Sequence, residues 1–197
     1  MAATDTALLS RARAGDTASF DELFLRYYSR IYEVLFRLTG DPAQADDLAQ
    51  ETFIRLHQNP PLDAGRDGQA SNLGGWLYRV AVNLGYNALR DAQRQTHYEG
   101  IVPNAASSTS AFADPETSAI EHDERERVRQ VLAALPPQQA QLLVLRYAGL
   151  AYKELAQALD VAPASIGTLL ARAERAFEVR YRATAGSKAT GEPDAHK

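Results

Sequence analysis

Trp76, Arg79, Asn83, Tyr86, Arg90 and Arg94 recur at steps of three and four, which places them in one stripe along a helix, with Asn87 beside it. Guanidinium groups neutralise phosphates, amides read base edges, and Trp or Tyr offers a face to an unstacked base. The stripe is therefore a candidate nucleic-acid surface. A solvated helix face whose Trp anchors the core would use the same letters, and this helix alone does not separate the two readings.

A second group, Asp46, Asp47, Gln50 and Glu51, gathers acceptors within one and a half helical turns, with Phe53 next to them. Carboxylates at i and i+4 share a face and could hold a divalent cation. No companion helix supplies further carboxylates with histidines, so a docking face for a basic partner fits better. An ordinary acidic first turn favoured by the helix dipole explains Asp46 but not Glu51.

The third group runs from Leu150 to Phe177, LAYKELAQALDVAPASIGTLLARAERAF, and has the layout of a helix-turn-helix. Leu155, Ala156 and Leu159 belong to the first helix, Asp160-Val161 to the turn, and Ile166, Leu169 and Leu170 to the packed side of the second. Asp160 stands where the turn favours glycine, and Asp tolerates left-handed backbone better than most residues. Ala-Leu-rich helical hairpins share this pattern.

Enzymatic chemistry has little to work with. The four histidines, His57, His97, His122 and His196, are scattered, with neither HExxH spacing nor a glycine-rich phosphate loop, and no serine has a recognisable nucleophile context. Zero cysteines exclude thiolate metal sites, disulfides and a cysteine nucleophile, and point to a reducing compartment. Neither a catalytic residue, a metal nor a cofactor is expected.

The elements that must position these groups read as helix. Phe20, Leu23, Phe24, Tyr27, Ile31, Val34, Leu35 and Leu38 repeat at helical spacing, and Gly40 stops them. Asp41-Pro42 starts a second helix, with Asp as N-cap and Pro at the first helical position, ending near Asn59-Pro60-Pro61. A Gly- and Asp-rich loop precedes a third helix from about Trp76 to Arg94, whose core side is expected at Leu77, Val80, Ala81, Leu84 and Ala88. No alternating strand pattern appears, so the expected class is all-α.

The 197 residues are 45% hydrophobic and 23% charged, enough for one sizeable domain or two small ones. The net charge of −4 divides unevenly, at −2 over 1–95, −5 over 96–125 and +3 over 126–197. Residues 101–118 are mostly Ala, Ser, Thr, Pro and Asn, too poor in large apolar side chains to offset their ordering entropy. The expected organisation is a helical domain over 1–95, a flexible acidic linker over 96–124, a helix-turn-helix domain over 125–182 and a disordered tail over 183–197. No apolar run approaches the ~18 residues of a membrane span, and the chain is expected in the cytoplasm without membrane insertion.

Three segments in this order, GDPAQADDLAQETFIRL, WLYRVAVNLGYNALR and LAALPPQQAQLLVLRYAGLAYKELAQAL, resemble the extracytoplasmic-function sigma factors of the sigma-70 family. The resemblance covers roughly residues 7–95 and 125–182. It implies an alternative initiation factor of bacterial RNA polymerase built from two small helical domains. Asp46, Asp47, Gln50, Glu51 and Phe53 would meet core polymerase at the clamp helices of its largest subunit. The loop from Asn59 to Gly75 would capture a flipped base of the minus-ten element, and the helix from Trp76, with Asn87, would melt and hold that element. The second domain would lie near the flap of the second-largest subunit and read the minus-thirty-five element through Lys153, Ser165, Thr168, Arg172 and Arg175. An anti-sigma protein is a further implied partner. The alternatives are a sigma-like regulator and a stand-alone helix-turn-helix repressor, which would dimerise on a palindrome without polymerase.

One departure stands out. Where most relatives carry Lys, Arg or His on the recognition helix, this chain has Ala164, Ser165, Gly167, Thr168 and Ala171. None supplies the ~1–3 kcal/mol discrimination of a bidentate Arg on guanine. Arg146, Lys153, Arg172 and Arg175 suit phosphates better than bases, Ala162 offers no side-chain N-cap, and Gly167 costs about 1 kcal/mol against Ala in a helix. The upstream contact is therefore expected to be weak, or to rest on shape and backbone, with polymerase docking supplying most of the affinity.

Overall fold

The computed structural model describes residues 3–61, 73–99 and 115–189. The expected base-capturing loop falls largely outside them, as does most of the linker. Among the described residues there are eight α-helices and no strand. They form two lobes, α1–α4 and α5–α8.

Helix boundaries follow capping chemistry. α1 (Asp5–Arg13) starts at Thr4, whose hydroxyl accepts from the Ala7 amide at 3.3 Å. α2 (Thr17–Thr39) starts at Asp16, which accepts from the Ala18 amide at 3.1 Å, and ends at Gly40 with φ 71°, the left-handed conformation glycine adopts without a Cβ penalty. Asp41 then accepts from the Ala43 and Gln44 amides at 2.8 and 3.3 Å and begins α3 (Pro42–Gln58), as its Asp-Pro sequence predicts. α1 is held across the lobe by Asp5, which takes hydrogen bonds from Arg26 and Tyr27. Burial, and then that bond, pushes the Tyr27 phenol well above its usual range.

α4 (Leu73–Glu99) is longer than expected and crosses the molecule. Gly85 lets it lie close to α2, since a Cβ there would stand 2.7 Å from Leu38 Cδ1 and 3.0 Å from Leu35 Cδ2. Leu77 and Ala81 are core as expected, whereas Val80, Leu84 and Ala88 are only half-buried. Tyr78, Val82, Tyr86 and Leu89 are buried instead. The difference has a simple cause: α4 is covered by α2 and α3 on one side and by α6 and α7 on the other.

In the second lobe, α5 (Pro115–Ala134) begins inside the stretch read as linker. α6 (Pro137–Tyr147) follows, then α7 (Tyr152–Leu159). The Glu154 carboxylate reaches back to accept from the Ala151 amide at 2.6 Å, half of a capping box, because alanine has no side-chain acceptor to return. Asp160 turns the chain with φ 56° and ψ 48°, taking the glycine conformation as expected. A single 3-10 turn, Pro163–Ser165, leads into α8 (Ile166–Ala189), and Ala162 gives it no side-chain cap. Leu155, Ala156, Ile166 and Leu170 are buried between α7 and α8, with Leu159 and Leu169 partly so. One apolar cluster runs without a break from Leu8 in the first lobe to Ala173 in the second.

Candidate nucleic-acid interface

The acidic cluster sits on α3 over an aromatic ladder. Phe24, Tyr28, Tyr32 and Phe36 step along α2 at intervals of four, with ring centroids 4.7 Å apart for the first pair and 6.1 Å for the last. Phe53 leans on Phe24 at 4.8 Å and is 3% exposed. Phe53 therefore supports the face from beneath in the free chain. The Tyr28 hydroxyl donates to Asp46, and this bond, with burial, pushes its pKa up to about 12. Asp46 also accepts from Gln50 Nε2 at 2.8 Å, while Glu51 pairs with Arg55 at 2.8 Å. Asp47 and Gln50 are exposed, Asp46 and Glu51 half-buried. The result is a preorganised acidic ridge with an aromatic flank, suited to a basic partner. Among the described residues no group of three or more His, Asp or Glu side chains could hold a metal ion.

The stripe on α4 is only partly a solvated face: Asn83, Arg90 and Arg94 are exposed, Trp76 and Arg79 half-buried and Tyr86 buried. Trp76 is half-buried against the core. Arg79 donates from Nε to the Ala158 carbonyl and from Nη2 to the Gln157 carbonyl, both at 2.8 Å, and lies 3.9 Å from Asp160. It thus caps the C-terminal end of α7, where the helix dipole favours a cation. Asn83 accepts from Gln141 Nε2 at 2.7 Å. Tyr86, 2% exposed, donates to the Leu135 carbonyl at 2.6 Å, and burial raises its pKa. Neither nucleic-acid contact nor solvation, the two readings of the stripe, anticipated that the second lobe would use it. Asn87, Arg90 and Arg94 remain exposed, with Arg94 3.3 Å from Asp91.

On the second lobe, Lys153, Ser165, Thr168, Arg172 and Arg175 are all exposed. Thr168, Arg172 and Arg175 follow one another at steps of four and three on the outer side of α8. A Cβ on Gly167 would meet nothing within 4 Å, so the base-facing surface is open as well as poor in donors. Arg146 lies over the Tyr152 ring at 5.5 Å.

Sequence reasoning missed Arg129. Its guanidinium packs on Gly40, with Cζ 2.5 Å from where a Cβ would stand, and pairs with Glu126 at 3.0 Å. The only signal was Gly40 itself, which the sequence explains fully as a helix stop.

Comparison with known proteins agrees in both lobes. A profile described as Sigma-70 region 2 matches residues 23–95, and one described as Sigma-70, region 4 matches residues 125–177. The ECF RNA polymerase sigma-E factor of Salmonella typhimurium is 30% identical over 184 residues, covering 89% of this chain and 91% of that protein. The ECF RNA polymerase sigma factor SigE of Mycolicibacterium smegmatis is 32% identical over 167 residues, or 82% of this chain, which spans 61% of its length. CnrH, solved with the cytosolic domain of CnrY, shares the fold with a TM-score of 0.59 at 20% identity, covering 91% of this chain and 97% of that one. The sigma factor RpoE of Bartonella quintana, solved with the anti-sigma factor NepR, aligns with a TM-score of 0.51 at 20% identity, over 81% of this chain and 94% of that one.

Proposed function

Because the chain belongs to the extracytoplasmic-function sigma factors of the sigma-70 family and directs transcription initiation as an alternative sigma factor, we propose a division of labour among its surfaces. α3 is the core RNA polymerase docking element, with Asp46, Asp47, Gln50 and Glu51 meeting the clamp helices of the largest subunit. Support comes from the acidic ridge held in place by Tyr28, which is the single observation that carries this reading. α4 supplies the minus-ten contacts through Trp76, Arg79, Asn83, Tyr86, Asn87, Arg90 and Arg94. α8 meets the minus-thirty-five element through Ser165, Thr168, Arg172 and Arg175, with Lys153 on the phosphates and the flap of the second-largest subunit holding this lobe in place. Working boundaries are 1–95 for the first domain and 125–182 for the second, joined through 96–124 and followed by the tail over 183–197.

The protein acts with polymerase rather than as an enzyme by itself, and in the cytoplasm. No helix among the described residues is long and apolar enough to cross a membrane. An anti-sigma protein is proposed as a second partner, by likeness to the fold of RpoE solved with NepR. Weak intrinsic DNA affinity follows from a net charge of −4 and a donor-poor α8, since a factor delivered by polymerase does not need a strongly basic face.

Run-off transcription with bacterial core polymerase on promoters from the native genome tests the reading. Protein-dependent transcripts are expected, and Asp47→Ala/Gln50→Ala/Glu51→Ala should abolish them while leaving the circular dichroism of the free protein unchanged. Polymerase binding that survives this triple substitution would remove α3 from the docking role.

A further inference from the structure

α1 touches both ends of the segment that joins α3 to α4. Where the chain leaves α3, Arg13, the last residue of α1, donates from Nη2 to the carbonyl of Pro60, at 3.4 Å, and to that of Pro61. Where the chain enters α4, Gly74 lies so close to Tyr27 that a Cβ on it would stand 3.2 Å from the Tyr27 hydroxyl oxygen. That hydroxyl donates to Asp5, the first residue of α1. α1 is itself well anchored: Leu8 and Leu9 are buried in the core, and Asp5 also accepts from Arg26. The two prolines add stiffness, because each ring fixes its own φ. Holding their carbonyls therefore sets the direction in which the chain departs. α1 lies ahead of the region 2 match, which begins at residue 23.

We propose that α1 is a positioning element for promoter opening: Arg13 fixes the exit from α3, Asp5 acting through Tyr27 fixes the entry to α4, and together they hold in place the minus-ten surface that begins at Trp76. The inference rests on the reading of α4 as that surface. Trp76 follows Gly74 within the first turn of α4, so a shift of the entry moves its ring. A base that leaves the stack costs unstacking energy, which contacts on the protein must offset. Any protein freedom frozen at that moment subtracts from the gain, so ends that are held beforehand favour opening. A guanidinium on carbonyls makes charge-assisted bonds, stronger than neutral ones. Arg13 is exposed, so its loss should be felt in DNA engagement far more than in the stability of the core.

The test separates positioning from docking and from stability. Bound to core polymerase on a native promoter, Arg13→Ala should lower the equilibrium for minus-ten opening about tenfold, because freed chain ends must be ordered when DNA binds. Permanganate reactivity of the promoter thymines reads that opening. Affinity for core polymerase and the melting temperature of the free protein should stay as in the wild type. Arg13→Lys keeps the cation without the planar fork and should recover part of the opening. Opening unchanged in Arg13→Ala, or lowered only in proportion to polymerase affinity or thermal stability, overturns the proposal.

A tether distinguishes holding the chain from touching DNA. The chain has no cysteine, so Arg13→Cys/Pro61→Cys can be joined by a short thiol cross-linker. The joined protein should open the promoter as the wild type does, and the same variant left unjoined should not. Failure of the joined form to recover, with its circular dichroism intact, would show Arg13 acting on DNA directly and overturn the proposal. At the other end, Gly74→Ala should weaken opening by pushing Tyr27 aside, and full opening by this variant removes Asp5 and Tyr27 from the role. Wild-type protein that opens no promoter would overturn the reading of α4 itself, and this inference with it, whereas the outcomes above overturn the inference alone.

Discussion

α4 and α8 are the two helices read as nucleic-acid elements, and they stand in opposite situations. α4 carries the richer chemistry, but three of the side chains proposed for recognition are hydrogen-bonded to the second lobe. α8 carries the poorer chemistry on an outer side where Ser165, Thr168, Arg172 and Arg175 are exposed. On the proposed reading, a helix such as α4 would trade protein hydrogen bonds for DNA ones, so the net gain per contact is small. A helix such as α8 need only shed water, yet it has few base-edge donors with which to discriminate. On the proposed reading, partly covered rich chemistry and open plain chemistry would both leave the free protein a poor DNA binder, with polymerase docking supplying the affinity.

The largest test of this contrast is a core substitution in α4 against a surface substitution in α8. Leu77→Ala empties a fully buried site and should destabilise the protein by roughly 2–5 kcal/mol. Ser165→Ala, at an exposed position, should stay within about 0.5 kcal/mol. Paired thermal and denaturant melts measure both, and equal losses would erase the distinction.

Next in size is the lobe contact at Tyr86. Tyr86→Phe leaves the Leu135 carbonyl without its donor and should cost about 1–3 kcal/mol. Burial of the same hydroxyl predicts a loss of stability at alkaline pH. Because burial raises the Tyr86 pKa above the ordinary value of 10.0, the folded contact is fully stabilised below pH 10 and loses that stabilisation as pH rises through the raised folded value. Stability measured by chemical denaturation should therefore fall above pH 10 in the wild type, with a smaller fall in Tyr86→Phe.

One substitution made in both helices should change sign. Gly85→Ala would press a methyl against Leu38 and Leu35 and should cost roughly 1–3 kcal/mol through overpacking. Gly167→Ala enters open space and should gain up to about 1 kcal/mol of helix propensity. Chemical denaturation of the two variants side by side sharpens the picture of a covered and an uncovered helix. The smallest effect concerns salt. Arg172→Ala/Arg175→Ala should leave the melting temperature unchanged and lower the salt dependence of promoter binding by the polymerase complex by about two phosphate contacts. A steeper loss at one promoter sequence than at others would mean that α8 reads bases after all.

Much of the architecture was legible in the residues. The Asp16, Gly40, Asp41 and Asp160 punctuation marked where helices start, stop and turn, because a cap satisfies backbone groups within a few residues and so depends only on near neighbours. The helical class, the acidic ridge on α3 and the helix-turn-helix followed from periodicity and spacing, and the ordered set of motifs pointed to the family. Extents were less legible. α4 runs on to Glu99 and α5 starts at Pro115, since helix is extended by packing and favourable propagation past the last apolar repeat.

What the tertiary structure alone decided is which faces are covered. Periodicity says that Arg79, Asn83 and Tyr86 share a side of α4; it does not say what lies against that side. Their partners are 79, 58 and 49 residues further along the chain, outside any window over which a sequence pattern has meaning. Phe53 turned inward and Arg129 settled on Gly40 for the same reason. Local chemistry set the elements and the groups they carry. The closing of one lobe on the other set which of those groups face solvent, because burial belongs to pairs of surfaces and a sequence specifies each surface without its mate.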